Sequence, residues 1–97
     1  MPFVNFVARV FKAVSVQRDA PPSSGVYGLS NASGWIYIGE SDNIKARLLE
    51  HLQGSDPTIH GTKPTGFSFE VCHSYNRVAR QHQLIAELHP LCNPRPA

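Results

Sequence analysis

Two segments rich in β-branched and aromatic residues lie on either side of a short polar stretch. Residues 25–29 and 35–39 form the two segments, and residues 31–34, Asn-Ala-Ser-Gly, lie between them. Such segments joined by a turn that contains Asn and Gly are typical of a β-hairpin. The pattern therefore predicts two antiparallel strands.

Two later segments carry apolar residues at the spacing of an α-helix, which predicts two amphipathic helices. Residues 41–43, Ser-Asp-Asn, precede the first helix and suit its N-terminus, and Gly54 suits its end. Ser74 can cap the second helix, which ends at Pro90. The apolar stripes consist of Ile44, Leu48, Leu49 and Leu52 in the first helix and of Val78, Leu84, Ile85 and Leu88 in the second.

The segment between the two helices predicts a loop followed by a strand. Residues 55–65 contain Pro57, Gly61 and Pro64, which are typical of a loop. From Phe67 to Val71, apolar residues alternate with polar ones, which indicates a strand with one buried face. The predicted fold class is α+β, a small three-stranded antiparallel sheet flanked by helices.

The N-terminal segment fits two patterns. Apolar residues at 3–16 match both a helical stripe and the alternation of a strand. We expect an amphipathic helix here, although the valine content favours a strand. Two prolines at positions 21 and 22 end either element. We therefore expect an N-terminal extension at 1–24, one domain at 25–93 and a tail at 94–97.

Composition narrows the class of protein further. The 97 residues leave room for one domain, and a hydrophobic content of 41% excludes a disordered chain. A net charge of +2 permits nucleic-acid binding and does not argue for it. The two cysteines form no disulfide framework, and no apolar run is long enough to cross a membrane. We therefore expect a reduced, cytoplasmic protein with no membrane partner.

One set of residues singles out the domain by its spacing. Two Gly- and Tyr-containing motifs lie on the two strands of the predicted hairpin, with their tyrosines ten residues apart. The set consists of Gly25-Val26-Tyr27, Tyr37-Ile38-Gly39, Arg47, His51, Leu84-Ile85, Pro90 and Asn93. It resembles the GIY-YIG nuclease family over nearly all of residues 25–93.

The resemblance implies that Tyr27, Tyr37, Arg47 and His51 are catalytic. Tyr27 would activate the attacking water, and Tyr37 would help to position the water and the phosphate. A phenol acts as a base only if positive charge lowers its pKa from about 10, and Arg47 and a divalent cation are candidates for that charge. Arg47 and His51 lie four residues apart on the flank of the apolar stripe, where the guanidinium can bind a phosphate. The ordinary alternative is that Arg47 lies over the core and His51 makes a local hydrogen bond.

The metal-binding position of the family is altered in this chain. The family has a glutamate three residues before the Leu-Ile pair, and Gln81 stands there. On a helical wheel Gln81 lies inside the apolar stripe. Burying an amide there without a partner costs about 1–3 kcal/mol, so a helix that only packs would carry leucine at this position. The position therefore indicates a polar group that points into the domain. The resemblance implies Mg²⁺ (or Mn²⁺) as cofactor. A neutral amide is a poorer ligand than a carboxylate, so we expect weak or absent binding. Glu40 replaces a lysine of some members.

Other residues are candidates for accessory roles. His60 lies in the predicted loop, where some family members carry a histidine, and is a possible helper. Four cations are candidates for a nucleic-acid-binding surface, and scattered surface charges are the ordinary alternative. These cations are Lys45, Lys63, Arg77 and Arg80. The cysteines and histidines lack the spacing of a zinc site.

The function implied by the resemblance is that of a metal-dependent endonuclease, which hydrolyses phosphodiester bonds of a nucleic acid, DNA in the first instance. We expect its specificity to be low or supplied by a partner protein. The alternative is a catalytically inactive module, for nucleic-acid binding or protein interaction, on the same scaffold. One phosphate and one ion must reach every site residue. We therefore expect one shared surface for Tyr27, Tyr37, Arg47, His51 and Gln81.

Overall fold

A central antiparallel sheet carries helices on both of its faces. The computed structural model of the protein describes residues 8–93, and residues 1–7 and 94–97 lie outside that description. In chain order the elements are β1 (Arg9–Val10), α1 (Ala13–Asp19), β2 (Gly25–Asn31), β3 (Gly34–Ser41), α2 (Ile44–Leu52), α3 (Pro57–Gly61), β4 (Gly66–Val71) and α4 (Arg77–Leu88). None of the helices within residues 8–93 has the length and apolar character needed to cross a membrane.

The sheet has four strands in the order β1-β4-β2-β3, and all neighbouring strands are antiparallel. The predicted hairpin is confirmed as β2 and β3, in which Tyr27 pairs with Gly39 and Leu29 with Tyr37. The predicted third strand is confirmed as β4, on the other side of β2. The α+β class is therefore confirmed, with four strands in place of three because β1 adds a short strand at one edge.

The helix expected over residues 3–16 is wrong for residues 8–12 and is found only from Ala13 onward. The segment first forms β1, which pairs with β4, and α1 begins only at Ala13. The valine-rich sequence suits this extended start. Residues 3–7 lie outside the described residues. Because β1 extends the sheet and α1 packs on α2, part of the expected extension at 1–24 packs on the domain. The domain limits at 25–93 stay a prediction.

The two faces of the sheet carry separate apolar cores. The helices α1, α2 and α3 lie on one side, and α4 covers the other face. The first core consists of Phe11, Val16, Ala20, Tyr27, Leu29, Ile36, Ile44, Leu48, Ile59 and Phe67. The second and smaller core consists of Val26, Ile38, Leu84 and Ile85. The predicted site residues divide in the same way, since Tyr27 belongs to the first core and Gln81 lies on α4.

The residues of α4 that face the sheet differ from the predicted stripe. Val78 is 49% exposed, whereas the polar residue Gln81, one turn before Leu84, bonds the main chain of β3 at Ile38. Ser74 does not cap the helix, since α4 begins after Asn76, whose side chain makes no capping hydrogen bond. Ser68 of β4 is buried on the side of the sheet that α4 covers, so both faces of β4 are covered.

The segment predicted as a loop over residues 55–65 contains the one-turn helix α3. The Asp56 carboxylate accepts hydrogen bonds from the main-chain N–H groups of Thr58 and Ile59. Pro57 occupies the first helical turn, where a missing N–H costs nothing. The proline that predicted a loop therefore starts a helix, and Ile59 is buried in the first core.

The C-terminal segment closes the free edge of β3. The N–H of Cys92 donates to the Ile36 carbonyl at 2.7 Å. The side chain of Asn93 accepts from the N–H of Ile38 at 2.7 Å and donates to its carbonyl at 2.9 Å. The amide of Asn93 therefore takes the place of a neighbouring strand beside Ile38 and fixes the middle of β3.

Gly39 leaves the space that the ring of Tyr27 occupies. A Cβ at this position would overlap the ring and the hydroxyl of Tyr27. We expect Gly39→Ala to displace the ring and to lower the free energy of unfolding by about 1–3 kcal/mol. Gly61→Ala is the matched control, because a Cβ there meets no atom within 4 Å. Equal thermal unfolding of the two variants would contradict this account of Gly39.

Candidate active site

Tyr27 and His51 form a buried hydrogen-bonded pair between the sheet and α2. The side chain of Tyr27 projects from β2 toward α2 and is 1% exposed, and His51 on α2 is 3% exposed. The Tyr27 hydroxyl lies 2.8 Å from Nε2 of His51. The N-cap Asn43, whose side chain accepts from the N–H of Ala46, fixes the start of the helix that carries His51. We call these two side chains the tyrosine–histidine pair.

Tyr37 completes a group of three rings. It lies on the same face of the sheet as Tyr27, and the centroids of the two rings are 6.2 Å apart. The Tyr37 ring also lies 5.6 Å from the imidazole of His51. Because Tyr37 is only half-buried, it lies where the tyrosine–histidine pair meets the surface.

Arg47 lies one helical turn before His51 and places a cation at the rim of this group. Its guanidinium is 39% exposed and pairs with Glu50 on the same helix, with Nη1 and Oε1 2.6 Å apart. Its charge also acts on Tyr27, Tyr37 and His51. The sequence prediction that these four residues lie together agrees with their positions in the fold.

Both members of the tyrosine–histidine pair are neutral near pH 7. Burial raises the pKa of Tyr27, the neighbouring Tyr37 adds to the rise, and Arg47 opposes it. The lowered phenol pKa that a free base would need is therefore not found, because burial outweighs Arg47. Burial, followed by the charge of Arg47, lowers the pKa of His51 to about 4.

A neutral phenol and a neutral imidazole can form this hydrogen bond in either direction, according to which ring nitrogen carries the proton. With the imidazole proton on Nδ1, the phenol O–H of Tyr27 donates to Nε2 of His51. Nδ1 of His51 is buried and has no hydrogen-bond partner among residues 8–93. In the tautomer with its proton on Nδ1, His51 can accept a proton from Tyr27 at Nε2.

Gln81 lies apart from the four residues of the ring group. It belongs to α4, which packs on the opposite face of the sheet, and its Nε2 donates to the Ile38 carbonyl at 3.1 Å. Ile38 directly follows Tyr37 on the free edge of β3. The structure therefore brings four of the five predicted residues together. It holds Gln81 on the other face of the sheet, beside Ile38 of β3.

The donors around position 81 do not make a complete metal site. Within residues 8–93, no group of three or more His, Cys, Asp and Glu side chains could hold a metal ion, which also gives no support to a zinc site. The Gln81 amide is neutral and already bonded to the main chain. Mg²⁺ favours anionic oxygen ligands, so Gln81 alone does not fit this cation.

The accessory candidates fall on different sides of the sheet. His60 and Lys63 line a shallow pocket together with His51. Lys45 lies in the first turn of α2, and its N–H donates to the Pro21 carbonyl. These residues belong to the layer of α2 and α3 that carries the tyrosine–histidine pair.

The two arginines lie instead on α4. Arg77 bonds Glu40 at 3.1 Å, and Arg80 bonds Glu70 at 2.8 Å. The four cations therefore do not form one continuous surface.

Two features of the site were missed by sequence reasoning. Asn93 belonged to the quoted motif, but its two bonds to Ile38 join residues 55 positions apart and leave no local signal. The ion pair of Glu40 with Arg77 joins residues 37 positions apart. Alternation along β3 places Glu40 on the same face as Ile38, the face that α4 covers. That alternation is the sequence signal that could have indicated an ion pair between Glu40 and α4.

The match to a known family is decided by the extent of the chain it covers. The profile of the GIY-YIG catalytic domain matches residues 23–89. The chain belongs to this family. The resemblance drawn from the two tyrosine motifs is thereby confirmed, and the matched range includes every residue of the ring group as well as position 81.

Two curated relatives of this GIY-YIG chain are UvrABC system proteins C. The protein from Aquifex aeolicus (strain VF5) is 38% identical over 50 residues, which make up 52% of this chain and 9% of the relative. The protein from Hydrogenobaculum sp. (strain Y04AAS1) is 48% identical over 40 residues, or 41% of this chain and 7% of the relative. The matched part of the chain therefore spans less than a tenth of the length of these relatives.

Solved structures of the GIY-YIG N-terminal endonuclease domain of UvrC from Thermotoga maritima have the same fold. One of them, bound to its catalytic divalent cation magnesium, matches with a TM-score of 0.70 and 22% identity over 81% of this chain and 96% of that chain. A point mutant of that domain, also bound to its catalytic divalent cation, gives 0.71 and 22% over 82% and 96%. The likeness establishes the fold.

The neutral state of His51 makes stability depend on pH. An unfolded histidine has a pKa of about 6.5, and the folded value is about 4. Between these values the unfolded chain binds a proton that the folded chain does not, so stability falls as the pH falls. We expect this residue to remove on the order of 3 kcal/mol of stability between pH 7 and pH 4.

Urea unfolding at several pH values measures this effect. His51→Gln should flatten the fall in stability between pH 6.5 and 4, while His60→Gln, which changes an exposed histidine, should leave it unchanged. The same slope in the wild type and in both variants would show that His51 is not the group responsible.

Proposed function

We propose that the chain is an endonuclease domain that hydrolyses phosphodiester bonds of a nucleic acid, DNA in the first instance. The observation that carries the proposal is the buried hydrogen bond of the tyrosine–histidine pair, formed by residues at the spacing of the family motif. Arg47 lies beside the pair and Tyr37 at its opening. The same fold in the UvrC endonuclease domain supports this function.

The tyrosine–histidine pair can remove a proton from water without a free phenolate. As the water oxygen bonds to phosphorus, the phenol oxygen of Tyr27 accepts a water proton while its own proton passes to Nε2 of His51. The bond to the leaving oxygen breaks on the opposite side, and that oxygen takes a proton from solvent. Because both groups are neutral at rest, the transfer accompanies the attack, and the pair acts as a general base.

Arg47 and Tyr37 supply the contacts to the phosphate and the water. The partly exposed guanidinium of Arg47 presents planar N–H donors, which stabilise negative charge on phosphate oxygens. Its bond to Glu50 holds the side chain near the ring group. The hydroxyl of Tyr37, at the surface end of that group, is placed to orient the attacking water.

The expected cofactor of this reaction is Mg²⁺ or Mn²⁺. A divalent cation polarises the phosphate when it is bound. Gln81 offers only a neutral carbonyl oxygen, so we propose that its binding is weak and that the chain cleaves slowly. We propose that a partner protein supplies the choice of target.

One observation favours a second candidate, a catalytically inactive nucleic-acid-binding module. The Gln81 amide donates to the Ile38 carbonyl, so its polar group is satisfied without a cation. A protein-interaction module on this scaffold would need neither the buried pair nor Arg47. Nucleic-acid binding that is lost when Arg47 is removed would therefore exclude the protein-interaction module. It would leave the nuclease and the inactive binding module.

A single substitution tests the proposed function. Gln81→Glu adds an anionic oxygen for a cation, but it removes the N–H that donates to Ile38 and places a carboxylate near that carbonyl. We expect the variant to unfold at a lower temperature than the wild type without Mg²⁺. We expect Mg²⁺ to raise its melting temperature and to support cleavage of labelled duplex and flapped DNA.

Gln83→Glu is the matched control, because it adds the same charge on the exposed side of α4. Cleavage with Gln81→Glu and not with Gln83→Glu would support a nuclease weakened at one residue. DNA binding by all three chains without cleavage would instead assign the inactive binding module. Absence of both DNA binding and cleavage would overturn the proposed function.

A further inference from the structure

A small pocket lies where α2, α3 and the segment after α3 meet. Its volume is about 170 Å³, far below the roughly 300–1,000 Å³ of pockets for drug-sized ligands, so it suits one small chemical group. None of the side chains that line it is acidic. They are Phe11, His51, Leu52, His60, Lys63 and Pro64. The pocket therefore combines basic groups with apolar ones.

His51 brings an unpartnered polar atom to this pocket. Its Nε2 is bonded to Tyr27, and its Nδ1 is buried and has no hydrogen-bond partner among residues 8–93. Buried polar groups of proteins are nearly always hydrogen-bonded, and each exception calls for an explanation. Nδ1 is the ring nitrogen that remains for a ligand, so an acceptor bound in the pocket would supply the missing partner.

Lys63 brings a positive charge that pairs with no carboxylate of residues 8–93. Each arginine in that part of the chain forms an ion pair, whereas Lys63 forms none there. The backbone of Lys63 has a φ of 56°, in the left-handed region, one residue after the C-cap of α3. Glycine is usual at this position because a side chain is disfavoured there. A lysine at such a position indicates a function of the side chain itself.

His60 places a third basic side chain at the same pocket. Its ring lies against Gly54 at the end of α2, where a Cβ would approach its Nδ1 to 3.5 Å. The pocket therefore has nitrogen donors from three side chains, and an anion fits them. The apolar side chains of Leu52 and Pro64 fit carbon atoms instead. A sugar–phosphate unit of a nucleic acid has both parts, the charged phosphate and the carbon atoms of the sugar.

The pocket lies next to the site proposed for cleavage, because His51 belongs to both. Arg47, which the proposed function places at the phosphate that is cut, lies one turn before His51 on α2. Side chains four residues apart on a helix have Cβ atoms about 6 Å from one another. A neighbouring phosphate of the same strand can therefore enter the pocket while the phosphate to be cut lies at Arg47.

We propose that the pocket binds a sugar–phosphate unit of the substrate strand, next to the phosphate that is cut. This inference rests on the proposed function. Lys63 and His60 bind the phosphate oxygens, and the Nδ1–H of His51 donates to the same phosphate, directly or through a water. That contact holds the imidazole proton on Nδ1, so Nε2 stays an acceptor for Tyr27. Binding of the strand therefore selects the tautomer that the proposed general base requires.

Two thymidine dinucleotides test the proposal without relying on cleavage. The first, d(TpT), has one phosphate, and d(pTpTp) has one more at each end, so the direction of the strand does not matter. In ¹H–¹⁵N spectra with EDTA, the added phosphates should tighten binding to the wild type by about threefold or more and shift the signals of His60 and Lys63. Lys63→Gly should lose this gain. It should melt no lower than the wild type, because glycine suits the left-handed backbone.

Two further variants are matched controls. Lys45→Gln removes the same charge from the first turn of α2 and should keep the gain from the added phosphates. Lys63→Arg keeps the charge at the pocket and should keep the gain as well. In the complex of the wild type with d(pTpTp), the ¹⁵N shifts of the His51 ring should show the proton on Nδ1.

The outcomes separate this proposal from the proposed function. An equal gain in the wild type and Lys63→Gly, an equal loss in Lys45→Gln, or a proton on Nε2 of His51 in the complex would overturn it. If Lys63→Gly melts below the wild type, the comparison of Lys63→Gln with Lys45→Gln decides the question. DNA binding by the wild type, and its loss in Arg47→Ala, tests the proposed function independently. DNA binding without a gain from the added phosphates would overturn this proposal alone, and absence of DNA binding would overturn both.

Discussion

The hydrogen bond between Tyr27 and His51 is the interaction on which the arrangement of the site depends. It joins the central strand β2 to α2 inside the larger core, where an unpaired polar group would cost about 1–3 kcal/mol. Gly39 leaves room for the tyrosine ring, and Asn43 fixes the start of the helix that carries the histidine. Folding therefore places the two groups together and keeps both uncharged before any substrate binds.

The edge strand β3 connects this buried pair to the opposite layer. Three successive positions serve the two layers in turn. Tyr37 and Gly39 face the ring group, where Gly39 leaves room for the Tyr27 ring, and Ile38 between them offers its main chain to Gln81 and Asn93. Asn93 bonds both main-chain polar groups of Ile38 at the strand edge, and Gln81 donates a second hydrogen bond to the Ile38 carbonyl. A site of this kind is assembled around an edge, so a change at position 81 alters the main-chain support as well as the ligand set.

The sequence could predict the local parts of the fold and the residues tied to them. The hairpin, the helix from Ile44 and the closeness of Arg47 to His51 follow from turn chemistry and helical spacing. The strand β1 could not be predicted, because its two residues are defined only by pairing with β4 far along the chain. The bond from Gln81 to Ile38 was equally hidden, since it depends on how α4 lies across the sheet. A contact that joins distant segments and has no periodic signature cannot be predicted from local sequence patterns.

The central claim is that Tyr27 passes the proton of water to His51, and one comparison of cleavage rates tests it most directly. The measurement is the rate of DNA cleavage with Mn²⁺ in the Gln81→Glu chain, with and without Tyr27→Phe. Phenylalanine keeps the ring against Gly39 and removes only the hydroxyl, so the protein should stay folded at 25 °C. The account predicts a loss of about 100-fold or more, the usual contribution of general base catalysis. An unchanged cleavage rate would contradict it.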